Sequence, residues 1–199
     1  MLVKDIVDLA KIKLQNLTVA KNDTALIKFT FLGVSELYRR FNLSIKSETL
    51  TINENLALYE LRNSDVSMLL GVYDIAGKEL IQTDIYNSQN YDYKLVNYRS
   101  FLLRKPFNGV LYTVYKASPV IFKDMDDEID LPDAMIDALL CYMSYMSHTT
   151  INRGNVRYNI DESITYQQRF DAACRELEAQ GYRIPLSSET LSLHAKGFV

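Results

Sequence analysis

The 199-residue chain has no tryptophan, two histidines, two cysteines, seven glycines and four prolines. Each shortage excludes something. So little Gly and Pro, beside 48% hydrophobic residues, excludes a collagen-like or mostly disordered chain. Cys141 and Cys174 form no CxxC pair and no Cys/His cluster, and each sits in an apolar helical pattern. Cysteines so placed are small buried hydrophobes, as in a protein made in a reducing cytosol. Charge of one sign is lacking too. With 22 basic against 25 acidic side chains, the formal charge is −3, which excludes a globally polybasic protein. Nucleic-acid contact would need a local patch or assembled geometry. No apolar run approaches the roughly 18–20 residues of a membrane span. The opening MLVKDIVDLAKIKLQNL has charges every few residues where a signal peptide has an apolar stretch.

What is present divides into helix-like ends and a strand-like middle. Val3, Ile6, Val7, Ala10, Leu14 and Leu17 recur at helical spacing, with Lys4, Asp5, Asp8, Lys11 and Lys13 between them. Asp23 or Thr24 offers an N-cap for a second helix. Its apolar face would be Ile27, Phe31, Val34, Leu37, Tyr38 and Phe41, and Arg39 and Arg40 would meet its negative end. From about Ile45 the period becomes two, and residues 45–122 read as five to seven short strands. Ala76-Gly77 marks one turn. Asn108-Gly109, between Ser100–Lys105 and Val110–Ala117, is the strongest hairpin signal.

Helical spacing returns at Leu131-Pro132, which puts Pro at a first helical position. Met135, Ile136, Leu139, Leu140, Tyr142, Met143 and Met146 supply a broad apolar face. Asp161 or Ser163 can cap a last helix whose inner face is Tyr166, Phe170, Ala173, Cys174 and Leu177, with Asp171 and Arg175 paired outside. Gly181 and Tyr182 suit the closing turn, and Pro185 forbids continuation. The expected fold is α+β: a four-helix bundle, a sandwich- or barrel-like sheet inserted between helices 2 and 3, and an extended C-terminal arm. The boundaries are 1–44, 45–123, 124–182 and 183–199.

Chemistry is sparse. GxSxG, GxxxxGK, GxGxxG and HExxH are all missing, so the reading is a non-enzyme with no cofactor and no metal. His148, at the end of the third helix, would complement the dipole as an imidazolium. The acidic run Asp124–Asp130 lacks the glycine and spacing of a calcium loop and fits a helix entry. The most basic, aromatic stretch is 91–105, with Tyr91, Tyr93, Tyr98, Arg99, Arg104 and Lys105. It suits strand packing plus a protein interface. The alternative is a single-strand nucleic-acid platform. In the tail, Leu186, Leu191, Leu193 and Phe198 read either as spaced for docking on a partner or as part of a frayed terminus.

The order of these parts resembles the head-to-tail adaptor (connector) proteins of tailed bacteriophages, of the short-tailed, tail-tubular-A type. The resemblance lies in VKDIVDLAKIKL, LYRRF, VLYTVYKASP leading into DDEIDLPDAMIDALLCYMSYM, and YQQRFDAACRELEAQGY. It implies a structural virion protein at the head–tail interface, forming a twelve-subunit ring. Its partners would be the portal protein, neighbouring adaptor subunits and a tail nozzle or tail-tube protein. Double-stranded DNA would cross the lumen without specific binding. The portal-docking arm would comprise Leu186, Leu191, Leu193, His194 and Phe198, and Tyr91–Lys105 would face a neighbouring subunit or the nozzle.

Overall fold

A computed structural model describes residues 1–15, 17–83, 91–151 and 158–182. The chain divides into two units: Met1–Leu43 with the described part of Pro119–Ile184, and Ser44–Ser118. The first is helical: α1 (Val3–Lys13), α2 (Asp23–Arg40), α3 (Ile136–Ile151) and α4 (Tyr158–Ala179). All four helices feed one core, from Ile6 on α1 and Leu26 and Leu37 on α2 to Leu139 on α3 and Phe170 and Cys174 on α4. Fully burying one such aliphatic side chain is worth about 1.5–3 kcal/mol, which is what holds these amphipathic helices together.

The first helix buries the expected stripe of Val3, Ile6, Val7, Ala10 and Leu14. In α2 Val34, Leu37, Tyr38 and Phe41 are buried as expected, but the first half of the face is turned. Leu26, Phe29, Thr30 and Gly33 are buried, whereas Ile27 and Phe31 are only half-buried. The cause is that α2 packs against both α1 and α3, so two faces are covered. The α2 cap is also corrected. Asn22, not Asp23 or Thr24, caps the helix by accepting from the Ala25 N–H at 3.0 Å. Asp23 is then free to pair with Lys11 of α1 at 2.8 Å.

At the other end of α2, Arg40 donates to Asp171 at 3.0 Å and Glu178 at 3.2 Å, both on α4. The expected Asp171–Arg175 pair is therefore not made, and the Arg175 Nε donates to the Asp171 backbone carbonyl instead. Arg40→Leu should cost about 1 kcal/mol, the scale of a partly exposed ion-pair network. Urea melts should show that cost shrinking in high salt. The last helix closes as the sequence suggests: Gly181 takes φ +89°, the Tyr182 N–H bonds the Leu177 carbonyl at 3.1 Å, and Tyr182 packs on the core. Its start differs. Asp161 and Ser163 lie within the helix, and the buried Ser163 hydroxyl sits 2.8 Å from that of Thr149 on α3. Pro132 precedes a 3-10 turn, Asp133–Met135, that leads into α3.

The second unit holds β1 (Ile45–Ile52), β2 (Leu58–Glu60), β3 (Val66–Tyr73), β4 (Gln82–Thr83), β5 (Tyr93–Asn97), β6 (Ser100–Leu103) and β7 (Gly109–Ala117). They form a three-stranded sheet in the order β1-β7-β3 and a four-stranded sheet in the order β2-β6-β5-β4. One apolar cluster draws on both sheets, with Leu50, Val72, Leu111 and Tyr115 from the first and Tyr59, Tyr93 and Phe101 from the second.

The hairpin expected at Asn108-Gly109 does not form. Strands β6 and β7 belong to different sheets, and β7 pairs with β1 and β3. A type I′ turn needs positive φ at both central residues. Among the described residues only Gly77 and Gly181 have it. Asn108 instead accepts from the Glu54 N–H at 3.1 Å, fixing the crossover between sheets. The Ala76-Gly77 turn does form. Gly77 has φ +77°, and one Asp74 carboxylate oxygen accepts from the Ala76 and Lys78 N–H groups at 2.8 Å each.

Candidate interface on the β unit

The residues singled out between 91 and 105 lie on the β5–β6 pair and its flanks. This pair is antiparallel, with Tyr93 opposite Leu103 and Asn97 opposite Ser100. Tyr91, Arg104 and Lys105 therefore sit at one end, and Tyr98 and Arg99 form the turn at the other. Five residues of strand separate the two ends by about 17 Å. The continuous aromatic, basic strip expected from the sequence is thus split in two. Tyr93 leaves the surface altogether, as alternation along β5 turns it inward. It is 1% exposed, meets Phe101 edge to face at 5.7 Å, and donates to Gln82 at 3.1 Å.

At the turn end, the Asn97 side chain accepts from the Arg99 N–H at 2.9 Å and shapes the two-residue connection. Tyr98 is left 57% exposed. Arg99 is tied to Glu60 of β2, whose carboxylate holds the guanidinium's pKa up. Its charge is matched within the sheet.

At the other end Asp92 acts as the organiser. Its carboxylate accepts from the Ile81 N–H at 2.9 Å, and its backbone carbonyl accepts from the Arg104 N–H at 2.9 Å. These bonds bring together the run before β4, the start of β5 and the end of β6. They place the Arg104 guanidinium 5.3 Å from the centre of the Tyr91 ring, a cation–π distance. Lys105 and Phe107 join them around a cleft of about 490 Å³, also lined by Leu80 and Leu103. The sequence does not single out Phe107 or Leu80, which also line the cleft. An aromatic in what reads as a turn was the available signal, since a true hairpin tip has no use for a half-exposed ring. Two cations and two aromatic rings around an open cleft suit an acidic or aromatic protein surface.

The arm residues Leu186, Leu191, Leu193, His194 and Phe198 lie outside the described residues. His148 corrects its expectation. It is buried on α3, stacked on Tyr166 at 5.2 Å with an 18° angle, and its Nδ1 has no hydrogen-bond partner. Burial lowers its pKa, against an opposite pull from Glu162, so it serves as a neutral ring and not as an imidazolium at the helix end. Below about pH 6.5 the unfolded chain binds a proton that the folded chain resists, so stability falls as pH drops through that range. Urea melts from pH 7.5 to 5 should show this loss, and His148→Phe should remove its share of the slope. An unchanged slope would contradict the buried neutral ring.

Cys141 and Cys174 are free and buried, and burial pushes the Cys174 thiol up to about 11. A thiol so held is not a nucleophile at neutral pH. Among the described residues no group of three His, Cys, Asp or Glu side chains could hold a metal ion. No helix among them is long and apolar enough to cross a membrane. In the acidic run, the Asp127 carboxylate turns back along the chain and accepts from the Lys123 and Asp124 N–H groups, which lowers its pKa. The run is further tied to the start of the chain, through Val3 N–H of α1 to the Asp127 carbonyl and Ile129 N–H to the Met1 carbonyl. Comparison with protein-family models and with curated proteins finds no match.

Proposed function

We propose that the chain is a structural head-to-tail adaptor of a tailed bacteriophage, not an enzyme. The observation that carries this reading is architectural: four helices sharing one core, with a seven-stranded unit inserted between the second and third. In finer terms the reading is a four-helix bundle with a sandwich-like insertion and an extended C-terminal arm. Copies form a closed ring, twelve as in the resembling family, between portal and tail. Such a subunit needs a rigid body, side surfaces that meet the next copy head to tail, and an arm that reaches a different partner.

In this reading the cleft of Tyr91, Arg104 and Lys105 meets a neighbouring subunit or the tail nozzle. The tail beyond Tyr182 docks on the portal. The net charge of −3 suits a conduit that lets double-stranded DNA pass without holding it. The protein is made in the host cytoplasm and resides at the head–tail interface of the virion. The rival reading, a single-strand nucleic-acid module, is weakened because Tyr93 is buried and Arg99 is paired.

Deleting residues 184–199 should abolish co-purification with the portal protein of the same phage, while far-UV circular dichroism of the helical unit stays unchanged. Retained co-purification would refute the arm assignment. Sub-micromolar DNA binding at physiological salt, with a steep salt dependence, would select the rival.

A further inference from the structure

The acidic run of the helical unit holds carboxylates that its own fold does not engage. Residues 124–130 contain five carboxylates and no lysine or arginine. The Asp127 carboxylate is taken up by the Lys123 and Asp124 N–H groups. Asp126 and Glu128 are exposed, and among the described residues neither side chain is in an ion pair. They stand too early to serve the dipole of α3, whose first residue is Ile136, because that field fades within one turn. Yet the backbone around them is held in place. The Lys4 N–H bonds the Met125 carbonyl and the Val3 N–H the Asp127 carbonyl, each at 2.9 Å, and the Ile129 N–H bonds the Met1 carbonyl at 2.7 Å. Two like charges, two residues apart and fixed at the surface, form a preorganised anionic edge. Val120 and Ile121, 70% and 69% exposed, lead into it and add an apolar part.

The β unit offers the matching chemistry. In its cleft of about 490 Å³, Arg104 and Lys105 face one carboxylate, that of Asp92, which already accepts from the Ile81 N–H. The apolar walls are Leu80, Leu103 and Phe107, and Phe107 is 40% exposed. We propose that this cleft receives residues 120–128 of a second copy of the chain. Asp126 and Glu128 meet Arg104 and Lys105, while Val120 and Ile121 cover Phe107 and Leu80. Charge selects the occupant, because the cleft is cationic on balance and residues 124–130 are the chain's densest run of carboxylates. The apolar part of each surface falls to the other in the same contact. Ion pairs of this kind fix register and speed association, and salt weakens them.

Two different surfaces meet, so the contact is head to tail and builds a ring when the rotation closes. It rests on the adaptor reading for the ring, and it takes the neighbouring copy over the tail nozzle as the partner of the cleft. The test uses full-length chains, one isotope-labelled and one not, mixed at high concentration. A water-soluble carbodiimide then joins any lysine amine to a carboxylate it touches. Amides from Lys105 of one copy to Asp126 or Glu128 of the other are expected. Their yield should exceed that from Lys78, exposed on the same unit but outside the cleft, by about tenfold. Arg104→Glu in the unlabelled chain should lower its Lys105 links to the labelled copy, and Asp126→Lys in the labelled copy should restore the link to Glu128. A yield from Lys105 no higher than from Lys78 would overturn the proposal. So would links found only within one copy. A ring on the portal without these links would overturn this contact and leave the adaptor reading standing. The links without any ring would overturn the adaptor reading alone.

Discussion

Phe101→Ala should destabilise the β unit by about 3–5 kcal/mol, the cost of emptying a filled aromatic site. Phe101, on β6, is fully buried at the centre of the four-stranded sheet. It stacks on Tyr59 of β2 at 6.0 Å and meets Tyr93 of β5 edge to face at 5.7 Å. Both neighbouring strands therefore lose a packing partner at once, and each aromatic pair adds about 0.5–1.5 kcal/mol beyond area alone. Domains have only about 5–15 kcal/mol in hand, so this one change should take away a large part of the unit's stability. Urea unfolding followed by tyrosine fluorescence should show an early transition for the sheets. The helical signal at 222 nm should keep its wild-type midpoint, because the core of α1–α4 does not include Phe101. An unchanged fluorescence midpoint would mean that the two sheets do not share the core described above.

Gly33→Leu should cost the helical unit about 3 kcal/mol, at the upper end for overpacking. Gly33 lies where α2 meets α3. A Cβ placed there would collide with the Leu139 Cδ1 and stand 3.1 Å from a ring carbon of Tyr142. A glycine inside a helix ordinarily costs about 1 kcal/mol relative to alanine, so its presence here reflects the close approach of the neighbouring helix. Gly33→Ala sets that gain against a contact with the movable end of a leucine and should be nearly neutral. Leucine adds three more carbons that have nowhere to go. Combining it with Leu139→Ala should restore part of the loss, making the pair less harmful than the sum of the singles. Strict additivity in thermal or urea melts would contradict the contact.

Much of the helical unit was legible because single-faced patterns are easy to count. The stripe of α1 and the Gly181-Tyr182 ending came through directly, since each depends on local spacing and local φ. The first half of the α2 face did not, although Val34, Leu37, Tyr38 and Phe41 did, because Thr30 and Gly33 are buried for reasons of space and side-chain bonding. Thr30 donates to the Leu26 carbonyl at 2.9 Å and so hides its polarity within its own helix. Hydrophobic counting passes over both.

The β unit failed at a different level. Its strands could be seen, but their pairing depends on contacts far apart in sequence, and Asn108-Gly109 offered a local signal that the crossover between sheets overrode. The same holds for the candidate interface. Composition located the residues between 91 and 105, yet only the register of β5 on β6 decides which ones face outward. Tyr93 and Arg99 are spent within the unit, and Phe107 replaces them at the surface.

The most direct test of the adaptor assignment is electron microscopy of the full-length chain co-expressed with the portal protein of the same phage. A closed ring of this chain seated on one face of the portal is the expected result. Portal rings that carry no density for this chain, although both proteins are folded and abundant, would contradict it.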